Sequence, residues 1–217
     1  MVYRYKFFYL FSMPKLFALL FLLALPALAA QADSLLQCSA NYFGKNAEFK
    51  FNFQMLTRVA STGEEIQKSG TLITSGQNKF ALTTPDLQVM SDGVNLWQYN
   101  PLQKQVLIKL ISDLENKLQP SEILFRYLNT KALSVKNELW KGKTVHALSL
   151  NPSKYKDQFK AMEVWLLPTD CSPVRLHTID NFGNDTWYSI ENLNKGKFSD
   201  KEFKFNAPAG VDEIDMR

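Results

Sequence analysis

Apolar and polar residues alternate with a period of two through most of the chain after residue 48, and this pattern predicts β-strands. The clearest case runs from Phe49 to Met55, where every second residue is apolar and the residues between are polar. Similar runs, bounded by turns rich in Gly, Asn and Ser, predict strands at 65–74, 79–84, 87–91, 95–100, 105–110, 133–138, 144–150, 162–167, 173–180, 186–191 and 203–205. About ten to twelve strands with few helices predict a mostly-β domain built on a large, curved antiparallel sheet.

Two short segments carry helical spacing instead of alternation. Residues 33–42 end at Gly44, a residue that commonly terminates a helix, and residues 120–128 begin at Pro120, which suits a first helical turn. Each segment has one apolar stripe, formed by Leu35, Leu36 and Tyr42 in the first and by Ile123, Leu124, Tyr127 and Leu128 in the second. We expect both helices to cover one face of the sheet.

The first 32 residues are predicted to be a cleaved export signal. Three basic residues precede an apolar run at 16–30, whose end fits an A-x-A cleavage motif at 27–29 and again at 30–32. The run is short for a membrane span of about 20 residues, and Met13 is an alternative start. A retained N-terminal anchor is the alternative to cleavage. The remaining residues, 33–217, are predicted to form one exported domain in the periplasm.

Removal of the signal changes the charge of the chain. The full sequence has 25 basic and 21 acidic residues, and three basic residues lie in the first 32, so 22 − 21 leaves +1. A nearly neutral surface gives no counterion-release drive towards nucleic acid, so we expect no nucleic-acid partner. No catalytic, phosphate-binding or metal-binding motif is recognisable, which predicts a protein that is not an enzyme and needs no cofactor.

Histidines and cysteines are the remaining candidates for chemistry. His146 and His177 lie in predicted strands and are interpreted as strand surface residues, and a secreted hydrolase that uses them is the catalytic alternative. Cys38 and Cys171 are the only cysteines. They could pair in an oxidising compartment, and two separate buried thiols are an equal alternative.

Residues 91–101 carry the most specific motif. Asp92-Gly93 is a hairpin-type turn, because Gly accepts the positive φ that such turns require, and Trp97 and Tyr99 then project from one face of the next strand. The segment resembles the S-D-G-x-x-L-W-x-Y-x-P signature of the outer-membrane lipoprotein carrier family (LolA-like proteins). The first hairpin and the ending at 203–211, which is similar to F-x-F-x-x-P-x-G-V, extend the resemblance over nearly all of the exported chain.

This resemblance implies an unclosed half-barrel whose concave apolar face is capped by short helices and holds acyl chains. It implies a carrier that shuttles lipoproteins from the inner to the outer membrane, and the protein is expected to act as a monomer. The implied partners are an acylated lipoprotein, an inner-membrane lipoprotein-releasing ABC transporter complex and an outer-membrane lipoprotein receptor. In one departure, an Arg typical of the family falls on Gly76, which favours a carrier or sensor of another lipid or glycolipid as the alternative.

The candidate acyl-binding residues are the large apolar side chains of the strands and the two predicted helices. Alternation does not decide which face of a strand points inward, because a one-residue slip reverses every side chain. Packing in an ordinary core is the alternative for all of them. The concave-face candidates are Phe49, Phe51, Phe53, Met55, Phe80, Leu82, Trp97, Tyr99, Val106, Ile108 and Trp165, and the lid candidates are Leu35, Leu36, Ile123, Leu124 and Leu128.

Overall fold

The computed structural model describes residues 30–44, 48–76, 78–113 and 125–217, which form one twelve-stranded sheet. The strands are β1 (Phe49–Arg58), β2 (Glu65–Ser75), β3 (Lys79–Thr83), β4 (Gln88–Asp92), β5 (Asn95–Asn100), β6 (Gln105–Leu110), β7 (Ala132–Trp140), β8 (Lys143–Leu150), β9 (Phe159–Leu166), β10 (Pro173–Asp180), β11 (Asp185–Lys195) and β12 (Asp212–Asp215). Their order across the sheet is β12-β6-β5-β4-β3-β2-β1-β11-β10-β9-β8-β7. The predicted mostly-β fold, a single curved and unclosed sheet, is confirmed.

Nearly every strand pairs antiparallel with its neighbours, as the alternation predicts. The turn at Asp92-Gly93 joins β4 to β5, and Gly93 has a φ of +98°, so the turn uses the freedom expected of glycine. The exception is β12, which runs parallel to β6.

One α-helix, α1 at residues 30–43, covers the face of the sheet that is called the inner face below. Its buried residues Ala32, Leu36, Ser39 and Phe43 recur every three or four positions, which gives the helix one face to bury. Gly44 follows with a φ of +61° and ends the helix, so the helix predicted at 33–42 is confirmed. Within the described residues, no helix has the length and apolar character to cross a membrane.

The strand predicted at 203–205 is wrong. Asp200–Phe203 is a 3₁₀ helix, because Ser199 and Glu202 form a capping box that fixes its first turn. The spacing of Phe203 and Phe205 resembles strand alternation, but Phe203 is the buried last residue of this helix and Phe205 packs against the sheet from the irregular segment after it. In the described ranges, three other 3₁₀ helices lie at Ile111–Asp113, Arg126–Asn129 and Pro152–Tyr155.

The inner face carries the main hydrophobic cluster. On β1, Phe49, Phe51 and Phe53 are buried in it, while the polar residues between them are exposed. The other strands contribute Leu72, Phe80, Val89, Leu96, Leu148, Leu150, Met162, Val164, Leu166, Leu176 and Ile190.

β6 and β7 lie far apart in the sheet order, with nine other strands between them. Among the described residues that follow β6 and precede β7, Ile111 and Phe125 both pack against the inner cluster. Of the helix predicted at 120–128, residues 120–124 lie outside the described part of the chain. Phe125 is helical and Arg126–Asn129 is the 3₁₀ helix, and these five residues are called the lid turn below.

The opposite, outer face is covered in two different ways. Over β5 and β6, residues of the C-terminal segment, Phe205 and Val211, pack on a separate apolar cluster. An ion pair of 2.7 Å between Lys79 Nζ and Asp200 Oδ1 fixes the same segment to β3. Over β7 to β11, the outer face instead carries a cluster built around three tryptophans.

Candidate functional site: the inner face beneath α1 and the lid turn

The structure brings nine of the sixteen predicted site residues together on the inner face. They belong to the main cluster or pack against it, and they come from α1, β1, β3 and the lid turn. Their acyl-binding role stays a prediction, but their shared location is established. These nine are Leu35, Leu36, Phe49, Phe51, Phe53, Met55, Phe80, Leu82 and Leu128. Ile123 and Leu124 lie outside the described residues.

The inner-face placement is wrong for five predicted residues, which lie on the outer face. Trp97, Tyr99, Val106 and Ile108 form the cluster under the C-terminal segment, and Trp165 belongs to the tryptophan cluster. The reason is the phase of the strands. Leu96 is buried in the inner cluster, so the next residue must point the other way, and Val164 and Leu166 impose the same phase around Trp165. Both faces of β5 and of β9 carry large apolar residues, so the size of the tryptophan ring does not identify the inner face.

Some of these placements could have been predicted from the sequence. Glu163 lies on the same face of β9 as Trp165, and its charge indicates that this face is the outer one. Phe43 continues the buried spacing of α1 by one further turn. Phe125 left no such signal, because its ring partners Phe43, Phe49 and Phe51 are far from it in the sequence.

An aromatic cluster joins the lid turn to the sheet. The ring of Phe125 lies 4.4 Å from that of Phe43 on α1, 5.1 Å from Phe49 and 6.0 Å from Phe51, measured between centroids. These contacts are made by ring surfaces, which are held by dispersion and by exclusion from water. A hydrocarbon chain can therefore replace the Phe125 ring without leaving a hydrogen-bonding group unpaired.

A buried hydrogen bond also links the lid turn to α1. The hydroxyl oxygens of Ser39 and Tyr127 are 2.9 Å apart, and both residues are almost fully buried. Burial raises the pKa of the Tyr127 hydroxyl far above its ordinary range, so this group stays protonated. Beside it, the Arg126 guanidinium donates to Gln158 Oε1.

The helix α1 is attached to the sheet along its whole length. A disulfide joins Cys38 to Cys171, with Cα atoms 5.8 Å apart, so the pairing that the sequence left open is present. Near the N-terminal end of α1, Asp33 Oδ1 accepts a hydrogen bond of 2.9 Å from the backbone N–H of Ala132. Near the C-terminal end, Lys195 Nζ lies 3.5 Å from the centroid of the Tyr42 ring.

A shallow groove separates α1 from the end of the lid turn. Its volume is about 190 Å³, and polar groups surround an apolar base. Through this groove, solvent reaches the boundary between α1 and the lid turn. Its lining is formed by Asp33, Leu36, Gln37, Ala40, Leu128, Thr130 and Lys131.

In the tryptophan cluster of the outer face, the positive charge of Arg175 is stacked against three indole rings. The Arg175 guanidinium carbon lies 3.8 Å from the centroid of the Trp187 ring, 4.2 Å from Trp140 and 5.1 Å from Trp165. Burial lowers the pKa of Arg175, and nearby carboxylates oppose that shift. The indole N–H of Trp165 donates to Glu138 at 2.6 Å. Both faces and edges of these rings are thus engaged by the chain's own groups.

His177 belongs to the same cluster, so its interpretation as a surface residue is wrong. It is 8% exposed, and its ring stacks on Trp187 at 3.7 Å because the two residues are cross-strand partners. Its nitrogens lie 2.9 Å from Glu163 Oε2 and 2.7 Å from Asp185 Oδ1. His146 lies on another strand, half-buried, 2.8 Å from Asn137. Among the residues that the structure describes, no group of three or more His, Cys, Asp or Glu side chains could hold a metal ion.

Comparison with known proteins adds the family context. Residues 46–206 match the family described as outer membrane lipoprotein carrier protein LolA. The chain is 29% identical over 204 residues to an outer-membrane lipoprotein carrier protein of Bordetella pertussis, and the match covers 92% of this chain and 94% of the other. A protein of the same name from Actinobacillus pleuropneumoniae is 25% identical over 186 residues, covering 79% and 84%.

A solved structure is similar at the level of the fold. An uncharacterized conserved protein from Thermus thermophilus matches with a TM-score of 0.54 and 12% identity, covering 85% of this chain and 99% of that one.

Proposed function

The chain belongs to the outer membrane lipoprotein carrier family, and from this premise we propose that it binds the acyl chains of lipoproteins on its inner face and carries them across the periplasm. The observation that carries the proposal is the position of Phe125. Its ring covers Phe49 and Phe51 through ring contacts, which an acyl chain can replace. The proposed cycle makes and breaks no covalent bond, so no catalytic residue is assigned.

The energetics favour a carrier that competes with its own lid turn. Removing an acyl chain from water is worth about 0.8 kcal/mol per methylene, so a chain of about 16 carbons gains on the order of 12 kcal/mol. Displacing Phe125 and Tyr127 from the inner cluster costs part of that gain. The lower net affinity lets the carrier pass its cargo to an acceptor that binds more tightly.

The proposed route begins at an inner-membrane lipoprotein-releasing ABC transporter complex and ends at an outer-membrane lipoprotein receptor. The family assignment supports both partners, and the Cys38–Cys171 disulfide is consistent with an oxidising periplasm.

Export through a cleaved signal is part of this proposal, and the packing of α1 favours one of the two cleavage motifs. Ala32 is fully buried in the main cluster, and residues 30–32 are already helical. Cleavage after Ala29 keeps residues 30–32, whereas cleavage after Ala32 removes them and makes Asp33 the N-terminal residue, with a charged α-amino group. N-terminal sequencing of the exported protein should therefore give Ala30, and a chain beginning at Asp33 would contradict this choice.

The cargo can be identified from protein purified from the periplasm. We expect mass spectrometry to detect diacylglyceryl-cysteine peptides bound to the wild-type chain. Co-purification of phospholipid or glycolipid alone would instead favour the alternative carrier, which is supported by the presence of Gly76 where the family typically has Arg. Gly76 has a φ of +69°, so a side chain at this turn position would be strained.

A variant of the lid turn tests the assignment of the inner face. Phe125→Glu should lengthen the retention of a fluorescent dipalmitoyl-cysteinyl peptide by at least about tenfold, because the acyl chain no longer competes with a phenylalanine ring whose burial is worth about 1.5–3 kcal/mol. Asn129→Glu is the matched control, since Asn129 lies in the same turn and is exposed. Equal retention by both variants, with unchanged circular dichroism, would contradict the proposal.

A further inference from the structure

We propose that the two elements over the inner face have different roles, with α1 as a fixed wall and the lid turn as the part that moves when an acyl chain enters. The Cys38–Cys171 disulfide keeps α1 in place, because it joins the helix covalently to the sheet. The inference rests on the proposed function, because it describes how that site opens.

The anchor of the disulfide on the sheet side is a closed turn. Cys171 lies between β9 and β10 and is 5% exposed. Its backbone N–H donates to Leu167 O at 2.9 Å, and Leu167 N–H donates back to Ser172 O at 2.9 Å. Asp170 Oδ1 accepts from both the backbone N–H and the hydroxyl of Ser172, at 3.0 and 2.7 Å. Because these hydrogen bonds hold the turn in one conformation, Cys171 is a rigid attachment point for Cys38.

The other attachments of α1 lie on both sides of Cys38 and reach different strands. The Asp33 hydrogen bond reaches the first residue of β7, and the contact of Tyr42 with Lys195 reaches the last residue of β11. The disulfide lies between them in the sequence of the helix. To leave the sheet, α1 would have to break a covalent bond or tilt about it against both end contacts.

Within the described residues, the lid turn is held by noncovalent contacts alone. Towards α1 and β1 these are the Ser39–Tyr127 hydrogen bond and the ring contacts of Phe125 with Phe43, Phe49 and Phe51. Towards the start of β9 they include the hydrogen bond from Arg126 to Gln158 and the position of the Arg126 guanidinium over the Phe159 ring. Each can be exchanged for contacts with a hydrocarbon chain or with water. When the site opens, the lid turn therefore moves while α1 stays in place.

A one-sided opening defines where the acyl chain lies. It takes the volume that Phe125 leaves, on Phe49 and Phe51 of β1, while Phe43 of the fixed helix closes the side. Because α1 still covers the rest of the cluster, the bound chain is shielded although the lid turn has moved. Without the disulfide, α1 can tilt away as well, and the chain should escape faster.

Hydrogen exchange measured by mass spectrometry tests this division on the unmodified, oxidised protein. The probe is a synthetic dipalmitoyl-cysteinyl peptide. We expect its binding to raise amide exchange in residues 125–130 by about tenfold or more and to leave exchange in residues 30–43 within about twofold. A rise in residues 30–43 that matches the rise in the lid turn would overturn the inference while leaving the proposed function intact. Failure of the oxidised protein to bind the probe would instead overturn the proposed function, and the inference with it.

A pair of double variants adds the dependence on the disulfide. Cys38→Ser with Cys171→Ser should release the probe about tenfold faster than wild type, since a tether that closes a long loop is lost. Ser34→Ala with Thr169→Ala is the matched control, because both residues are exposed and lie close to the cysteines in sequence, and it should release the probe at the wild-type rate. Equal release by the folded cysteine variant and the wild type would overturn the inference. If the cysteine variant does not fold, the exchange measurement on the oxidised protein decides.

Discussion

The two faces of this sheet are stabilised by different kinds of interaction. On the outer face, Arg175 stacks among three indole rings and His177 lies between two carboxylates, so these side chains are held in defined directions. On the inner face, the Phe125 ring of the lid turn meets its neighbours through ring surfaces without directional bonds. In the proposed function these two kinds of contact have different roles, because the outer face stabilises the sheet while the Phe125 contacts of the inner face are exchanged for those of an acyl chain.

The strongest test of this division is the removal of an outer-face ring. Trp165→Ala should lower the free energy of unfolding by about 3–5 kcal/mol, because it leaves a large cavity and removes a partner of Glu138 and Arg175. The affinity of the folded fraction for a dipalmitoyl-cysteinyl peptide should stay unchanged. Chemical denaturation and peptide titration measure the two quantities.

Leu139→Ala, at a residue that is 78% exposed on β7, two strands away from β9, is the control for this variant and should change stability by less than about 0.5 kcal/mol. A loss of peptide affinity in folded Trp165→Ala protein would show that the outer face takes part in cargo binding, and the comparison would fail.

A smaller effect on stability is expected at Gly70, where the packing of the inner face leaves no room for a side chain. A Cβ at Gly70 would lie 2.4 Å from the backbone oxygen of Thr83 and 2.9 Å from Cζ of Phe53, its cross-strand partner. Gly70→Ala should therefore destabilise the protein by about 1–3 kcal/mol, measured by denaturation. Adding Phe53→Leu should recover the part caused by the ring and leave the part caused by the carbonyl. No loss in the single variant would contradict the packing described for β1 and β2.

The hydrogen bond between α1 and the lid turn should show a coupling of about 1 kcal/mol. Ser39→Ala and Tyr127→Phe each leave the other hydroxyl buried without its partner, and the double variant removes both. A double-mutant cycle on the free energy of unfolding measures the coupling. A value near zero would mean that the two hydroxyls do not form this bond in solution.

The smallest effect concerns acid at the turn between β4 and β5. Burial acts to raise the pKa of Asp92, but hydrogen bonds from the backbone N–H groups of Asn95 and Val94 outweigh it, so the pKa lies below its ordinary value of 3.8. A lowered folded-state pKa stabilises the protein at neutral pH, and that contribution is lost as the pH falls through the acid range. Solvent screening keeps it below about 0.5 kcal/mol.

Asp92→Asn can accept the same bonds but does not titrate, so its thermal midpoint should fall less than that of the wild type between pH 7 and pH 3. Parallel curves for the two proteins would contradict the assignment.

The sequence predicted the strands well because alternation follows directly from having a buried face. It could not assign those faces where both were apolar, as at Leu96 and Trp97 in β5, since local pattern carries no information on which neighbour lies across the sheet. The Cys38–Cys171 pair was equally hidden, because it joins a helix and a turn that are 133 residues apart in sequence. Phe125 lay beyond prediction for the same reason, whereas the β1 phenylalanines were found from alternation alone.

The neighbouring positions of β1 and β11 have a consequence for biogenesis. A chain that enters the periplasm from its N-terminus presents β1 long before its partner β11 arrives. Until then one long, aromatic strand has an unpaired edge, which is a template for aggregation. The sheet can be joined at its middle only after most of the polypeptide has been exported, so we expect this carrier to need a holding chaperone of its own during translocation.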